Sequence, residues 1–181
     1  MAFTLIIGPM KSGKSLELIA RVAPHEFAKH KVLYVQPEQN VRDKGIRSRL
    51  GISTASVAVK SLQDITTDFD VIGIDEIHMF GPDDVRFLAN TIKAGKEVVA
   101  SGLDLDYRGR LQPTVQQLME FKPDNLVLKL AVCDVCNRYE AQFSQILQGD
   151  TLILDGMPAI VPEDGTYEYQ ARCRTCFVQT S

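Results

Sequence analysis

Gly8-Pro9-Met10-Lys11-Ser12-Gly13-Lys14-Ser15 is the stretch on which the fold turns. It fits G-x-x-x-x-G-K-[ST] at every fixed position. The glycines let the backbone curl until several N–H groups converge on one point, and a following helix adds its positive N-terminus. Such a concavity suits phosphate oxygens. Pro9, Met10, Lys11 and Ser12 supply the cradle between the glycines. Lys14 is placed to reach the β- and γ-phosphates, and the Ser15 hydroxyl to bind Mg²⁺. A random chain of this length meets the pattern less than about once in a hundred, and the flanks lower that further. Thr4 to Ile7 is a short apolar run of the kind found in a parallel strand buried on both faces.

Outward from the loop, strand-like and helix-like segments alternate. Leu16, Ile19, Ala20, Ala23 and Phe27 fall on one helical face, and Pro24 predicts a kink or an early end near Ala23. Val32 to Val35, Val57 to Val59, Val71 to Ile74 and Glu97 to Ala100 read as strands. Pro82-Asp83-Asp84 opens a helix that Gly95 ends, with its acids at the positive end of the dipole. This alternation predicts an α/β fold: a parallel sheet with helices on both faces.

Val71-Ile72-Gly73-Ile74 delivers Asp75 and Glu76 at its C-terminal edge, where open α/β sheets bind ligands. One carboxylate can support Mg²⁺ and the other can deprotonate a nucleophile. If that nucleophile is water the chain is an ATPase; if it is a substrate hydroxyl the chain is a kinase. His78, two residues on, reads as a positioning or packing residue rather than a catalytic one.

The texture changes near Asn125, which divides the chain into a nucleotide-binding domain over 1–125 and a small β-rich domain over 126–181. Val127 to Val132 leads into the first cysteine pair. Thr151 to Leu154 and Ala159 to Val161 read as short strands, with turns at Gly149-Asp150, Asp155-Gly156 and Asp164-Gly165. The four cysteines form two C-x₂-C pairs, Cys133/Cys136 and Cys173/Cys176. Four thiolates fit a closed tetrahedral Zn²⁺ site with no position open for chemistry, so the metal reads as structural, stapling a segment too small to build its own core. Disulfides and a redox C-x-x-C pair are the competing readings.

Composition narrows the classes. The net charge is −3, so no global basic field draws nucleic acid or an anionic membrane. No apolar run approaches the roughly 20 residues that a bilayer demands. The N-terminus lacks a basic leader and a small-residue cleavage site, so the chain is expected in the cytoplasm, where thiols stay reduced. From 137 to 181 the acids Glu140, Asp150, Asp155, Glu163, Asp164 and Glu168 face only Arg138, Arg172 and Arg174. A DNA- or RNA-reading zinc ribbon on a P-loop ATPase, the alternative of a different class, would carry the opposite balance. No stable nucleic-acid partner is expected. A non-catalytic nucleotide-binding module is disfavoured by Glu76.

The order of these motifs resembles the type II thymidine kinases, the tetrameric class of the cytosol, over nearly the whole chain. The loop at 8–15 is similar to that family's own version, Met10 included. Asp75-Glu76-Ile77-His78-Met79-Phe80 resembles its acidic strand end, and Gly102-Leu103-Asp104-Leu105-Asp106-Tyr107-Arg108-Gly109 resembles its Gly-Leu-Asp-x-Asp-Phe-x-Gly stretch. Lys129-Leu130-Ala131-Val132-Cys133 and Tyr169-x-x-x-Cys173-Arg174-x-Cys176 are similar to the two arms of its zinc lobe.

The resemblance implies a P-loop NTPase (RecA-like) core with a zinc-binding lasso domain, ATP with Mg²⁺ and thymidine as substrates, and a homotetramer. It implies that Glu76 takes the proton of the nucleoside 5′-hydroxyl, that Asp75 supports the metal, and that Arg42 faces the phosphates. Met10, Met79, Leu103 and Tyr107 would line the thymine pocket, and Tyr169 would be the lasso tyrosine over the nucleoside. The departures gather around base and sugar recognition: Asn40 for an Asp, His78 for a Gln, Met79 for an aromatic, Leu111-Gln112 for Pro-Phe. Glu163-Asp164-Gly165-Thr166-Tyr167 stands for an Ile-Gly-Gly-x-Glu stretch. Ser144 stands for a threonine, and Ile146 occupies the place of an arginine. A nucleoside kinase of altered base preference is therefore the runner-up.

Overall fold

The computed structural model describes residues 2–40, 45–48, 51–161 and 165–179. Its centre is a six-stranded, wholly parallel sheet in the order β5-β2-β6-β7-β1-β8. The strands are β1 (Phe3–Ile7), β2 (Val32–Pro37), β5 (Val57–Val59), β6 (Val71–Ile74), β7 (Glu97–Gly102) and β8 (Asn125–Leu128). Strands β3 (Ile46–Arg47) and β4 (Ser53–Thr54) form a small separate pair. β1, β6 and the inner part of β7 are buried throughout, as continuous apolar runs in a two-sided sheet must be.

Alternation along β1 feeds two cores. Phe3, Leu5 and Ile7 pack with Val85, Leu88, Val115 and Leu118 of α2 (Pro82–Lys93) and α3 (Pro113–Glu120). Ile6 points the other way, to Leu18, Ile19 and Val22 of α1 (Lys14–Phe27). Helices thus cover both faces, and every parallel strand ends at the same edge.

Two expectations for α1 need correction. The helix continues past Pro24 to Phe27. Pro24 is exposed and lies in the last turn, and its carbonyl still accepts from the Ala28 N–H at 3.2 Å, so little beyond one hydrogen bond is lost. The buried face is Leu18, Ile19 and Val22, about a third of a turn from the face the spacing suggests; Ala20 is exposed and Phe27 is 87% exposed.

After β8 the chain enters a lobe of antiparallel pieces. A hairpin joins β9 (Ala131–Val132) to β10 (Tyr139–Ala141). A three-stranded sheet has the order β12 (Thr151–Ile153), β11 (Phe143–Gln148), β13 (Glu168–Arg172). Ala159 to Val161, expected as a strand, is not one. Its carbonyls are taken by side chains instead: Ala159 O accepts from Gln112 Nε2 at 3.4 Å, and Val161 O from the Tyr169 hydroxyl at 2.8 Å. Those two carbonyls thus find partners outside any ladder. No helix among the described residues is long and apolar enough to cross a membrane.

Candidate active site

The glycine loop joins β1 to α1 and takes a shape that ordinary residues resist. Gly8 has φ +150°, and a Cβ there would lie 2.4 Å from the carbonyl oxygen of Lys129. Gly13, immediately before the helix, is left-handed at φ 80° and ψ 25°, and no side chain caps α1. The first-turn N–H groups are therefore not consumed by a cap, as an anion site requires. Lys14 Nζ donates to the Pro9 carbonyl at 2.7 Å, and Ser12 Oγ donates to the same oxygen at 2.8 Å. The Met10 N–H donates to Ser144 Oγ of the lobe at 2.9 Å, a buried contact. Lys11 Nζ reaches Asp134 at 2.9 Å. The lobe thus holds the loop from outside.

The acidic pair follows β6, two strands from β1. Asp75 is buried and accepts hydrogen bonds from Ser101 and Ser15. Burial, reinforced by the charge of Glu76, pushes its carboxyl up to about 6, against the pull of the two hydroxyls and Lys14. Glu76 is left-handed at φ 52° and heads the 3-10 turn of Ile77–Met79. That conformation is costly outside glycine and clusters at functional sites. Buried His78 lies with Nδ1 3.5 Å from Glu76 Oε2 and 3.2 Å from the Leu103 N–H, which donates to it.

Glu76 and the whole loop from Met10 to Ser15 line one cavity of about 320 Å³. Arg47, Ser48, Lys129, Val132 and Tyr139 complete its wall. Lys129 is braced by Glu17 at 3.2 Å, and Glu17 in turn holds Arg21 at 2.9 Å. The sequence reading gave no role to Arg47, Lys129 or Tyr139. Lys129 lies inside the Lys129-Leu130-Ala131-Val132-Cys133 stretch, but nothing local marks Arg47 or Tyr139. Asp104 likewise takes no role from its local sequence. Burial raises its carboxyl above the usual range, opposed by backbone N–H groups and the charge of Lys14. Arg42 lies outside the described residues. Asn40 directly follows the β2 turn, its N–H on Pro37 O at 3.0 Å.

The residues expected around the base come from the glycine loop, the turn after Asp75, the segment after β7 and strand β13. Met10 is on the cavity. Met79 directly follows His78, and the Leu103 N–H donates to that ring. Tyr107 and Tyr169 meet in one cluster with Ile146 and Val161, where core and lobe join. The Tyr107 hydroxyl donates to Met157 O at 2.9 Å and accepts from Met157 N at 3.0 Å.

The four cysteines come together although 36 residues separate the pairs. All four sulfurs lie within 4.8 Å of one another, none is in a disulfide, and Cys136 Sγ to Cys173 Sγ is 3.7 Å. Four sulfurs at the Zn–S bond length would be about 3.8 Å apart on a tetrahedron, so the donor set fits zinc. Burial opposes ionisation of Cys133, yet backbone N–H groups of Cys136, Cys173 and Val135 pull its thiol down to about 6. Contact with Cys173 and burial push Cys176 up to about 12. Crowded thiolates without a cation resist further ionisation, and a divalent ion would remove that resistance.

A sequence-family model described as Thymidine kinase matches residues 1–177. A Thymidine kinase of Thermococcus kodakarensis is 33% identical over 186 aligned positions, covering 94% of this chain and 90% of the relative.

Proposed function

Since the chain belongs to the thymidine kinase family, we propose that it passes the γ-phosphoryl group of ATP to the 5′-hydroxyl of thymidine, with Glu76 as general base. The observation that carries this reading is that Glu76 shares one cavity with the phosphate cradle. A base must stand within reach of both the acceptor hydroxyl and the phosphorus it attacks.

The chemistry then assigns itself by position. Lys14 turns from the Pro9 carbonyl to the β- and γ-phosphates. Ser15 and Asp75, already hydrogen-bonded to each other, would hold the Mg²⁺ that arrives with the triphosphate and neutralises its charge. Glu76 accepts the proton of the 5′-hydroxyl as that oxygen bonds to the γ-phosphorus. The bond from phosphorus to the bridging oxygen breaks in line, and ADP leaves with the electron pair. His78, whose ring is held by the Leu103 N–H, packs beside Glu76 and takes no part in the transfer. The family resemblance assigns thymine recognition to Met10, Met79, Leu103, Tyr107 and Tyr169, and a phosphate-binding role to Arg42. Cys133, Cys136, Cys173 and Cys176 would hold Zn²⁺, which supplies structure and no step. The lobe it staples covers the site and keeps out water, the competing acceptor. By family resemblance the chain works in the cytoplasm as a homotetramer.

Incubation with ATP and a panel of deoxynucleosides tests this. The expected products are ADP and dTMP in equal amounts, with little ATP hydrolysis when the nucleoside is left out. Hydrolysis indifferent to any nucleoside would overturn the kinase reading. Glu76→Gln should lower turnover about 10²-fold or more while ATP affinity stays nearly constant; retained turnover would remove Glu76 from the base role.

A further inference from the structure

Phosphoryl transfer as assigned above uses nothing on the far wall of the cavity, yet that wall carries an aromatic ring. Tyr139 is 67% exposed and pairs across the β9–β10 hairpin with Val132, itself 50% exposed. Both line the cavity that holds the phosphate cradle. Apolar surface left open beside an anion site forgoes burial that folding would otherwise recover.

Strand order says what this wall meets. On one side of β1 lie β7 and then β6, whose end carries Glu76; on the other side lies β8, which runs through Lys129 and Leu130 into the hairpin. Neighbouring strands are about 4.8 Å apart, so β6 and β8 stand three spacings, roughly 14 Å, apart. The transferred phosphoryl group belongs at the Glu76 end, where the acceptor is. The β- and α-phosphates then run back over the loop and the first turn of α1. The nucleoside emerges at the opposite end, against Leu130, Val132 and Tyr139.

We propose that Tyr139 is the platform on which the base of the nucleoside triphosphate stacks, with Val132 beside it. The proposal rests on the reading of the chain as an ATP-using kinase. The platform is mounted on the cysteine cluster: Val132 precedes Cys133, and Tyr139 follows Arg138, whose carbonyl accepts from the Cys133 N–H at 2.9 Å. Stacking accepts any base, because every base has a π-face. The wall therefore selects nucleoside triphosphates over bare polyphosphate and discriminates weakly among bases.

Calorimetric titration of ATP and of inorganic tripolyphosphate into the metal-loaded protein, Tyr139→Ala and Tyr139→Phe decides the matter, with zinc content measured for each. Tyr139→Ala should bind ATP about tenfold or more weakly, bind tripolyphosphate as before and keep its metal. Tyr139→Phe should match the native protein. In turnover assays, KM for ATP should rise while kcat and KM for thymidine hold. Unchanged ATP affinity in Tyr139→Ala, or an equal loss for ATP and tripolyphosphate, would overturn the proposal. Binding of ATP does not depend on the acceptor, so the two readings fail separately. A protein that makes dTMP but ignores Tyr139→Ala loses only the platform. One that binds ATP through Tyr139 yet makes no dTMP loses only the kinase assignment.

Discussion

Asp75 shows how a single carboxyl is tuned by its surroundings. Its ordinary value of 3.8 rises to about 6 in the folded chain, because burial and then Glu76 disfavour the charge. A proton held more tightly by the folded state makes the stabilising contribution full below about pH 4 and lost as the pH climbs through 6. Above that the ionised group costs on the order of 2–3 kcal/mol in the ligand-free protein. Asp75→Asn removes the titration. Its melting temperature should pull ahead of the native protein's by a margin that widens from pH 4 to pH 7 and then levels. A margin indifferent to pH would show that Asp75 does not carry the shift. The same variant should bind Mg²⁺-ATP more weakly, since the penalty exists to be offset by the cation.

At the scale of elements, the loop between β1 and α1 is shaped by its neighbours as much as by its glycines. Gly8 is required twice over, by its φ of +150° and by the Lys129 carbonyl that a Cβ would strike at 2.4 Å. That oxygen belongs to backbone just beyond a paired strand and cannot swing aside. Gly8→Ala should destabilise the protein by about 1–3 kcal/mol in chemical denaturation, and should weaken ATP binding while the far-UV spectrum stays native. A fully active, equally stable variant would contradict this account. The loop and five of the six parallel strands are legible in sequence because each is a dense local pattern, a short apolar run or four fixed positions in eight; β8 is not, since Val127 to Val132 runs straight on into the cysteine pair. Nor is the phase of α1. Apolar residues lie on more than half of its circumference, and which side turns inward depends on β1, β6 and β7, which no local window contains. The Ala159–Val161 segment misled for a related reason. Val161 packs in a cluster with Tyr107 and Ile146, while the Ala159 and Val161 carbonyls are taken by Gln112 and Tyr169.

Across the whole molecule, the cysteine cluster, the lobe and the cradle form one connected structure. Among the described residues the buried apolar side chains packed with the cluster are Ala131, Ala141 and Ala171, little apolar surface to hold the two cysteine arms together without a metal. Chelation of zinc, or Cys173→Ser, should open residues 131–179 to proteolysis while the sheet from 3 to 128 stays protected. Freshly purified, reduced protein without zinc, or a lobe that stays closed after chelation, would refute the structural role. Arg47, Lys129 and Tyr139 belong to this scale too. Each is an unremarkable residue in sequence, and only the order of strands brings it to the cavity. The amide of Met10 gives its hydrogen to a hydroxyl 134 positions further along the chain. During synthesis, then, the loop emerges from the ribosome long before the residue that completes it. The nascent protein cannot finish its nucleotide cradle until Ser144 is out, so a chain truncated after β8 should fold its sheet and yet hold triphosphate poorly.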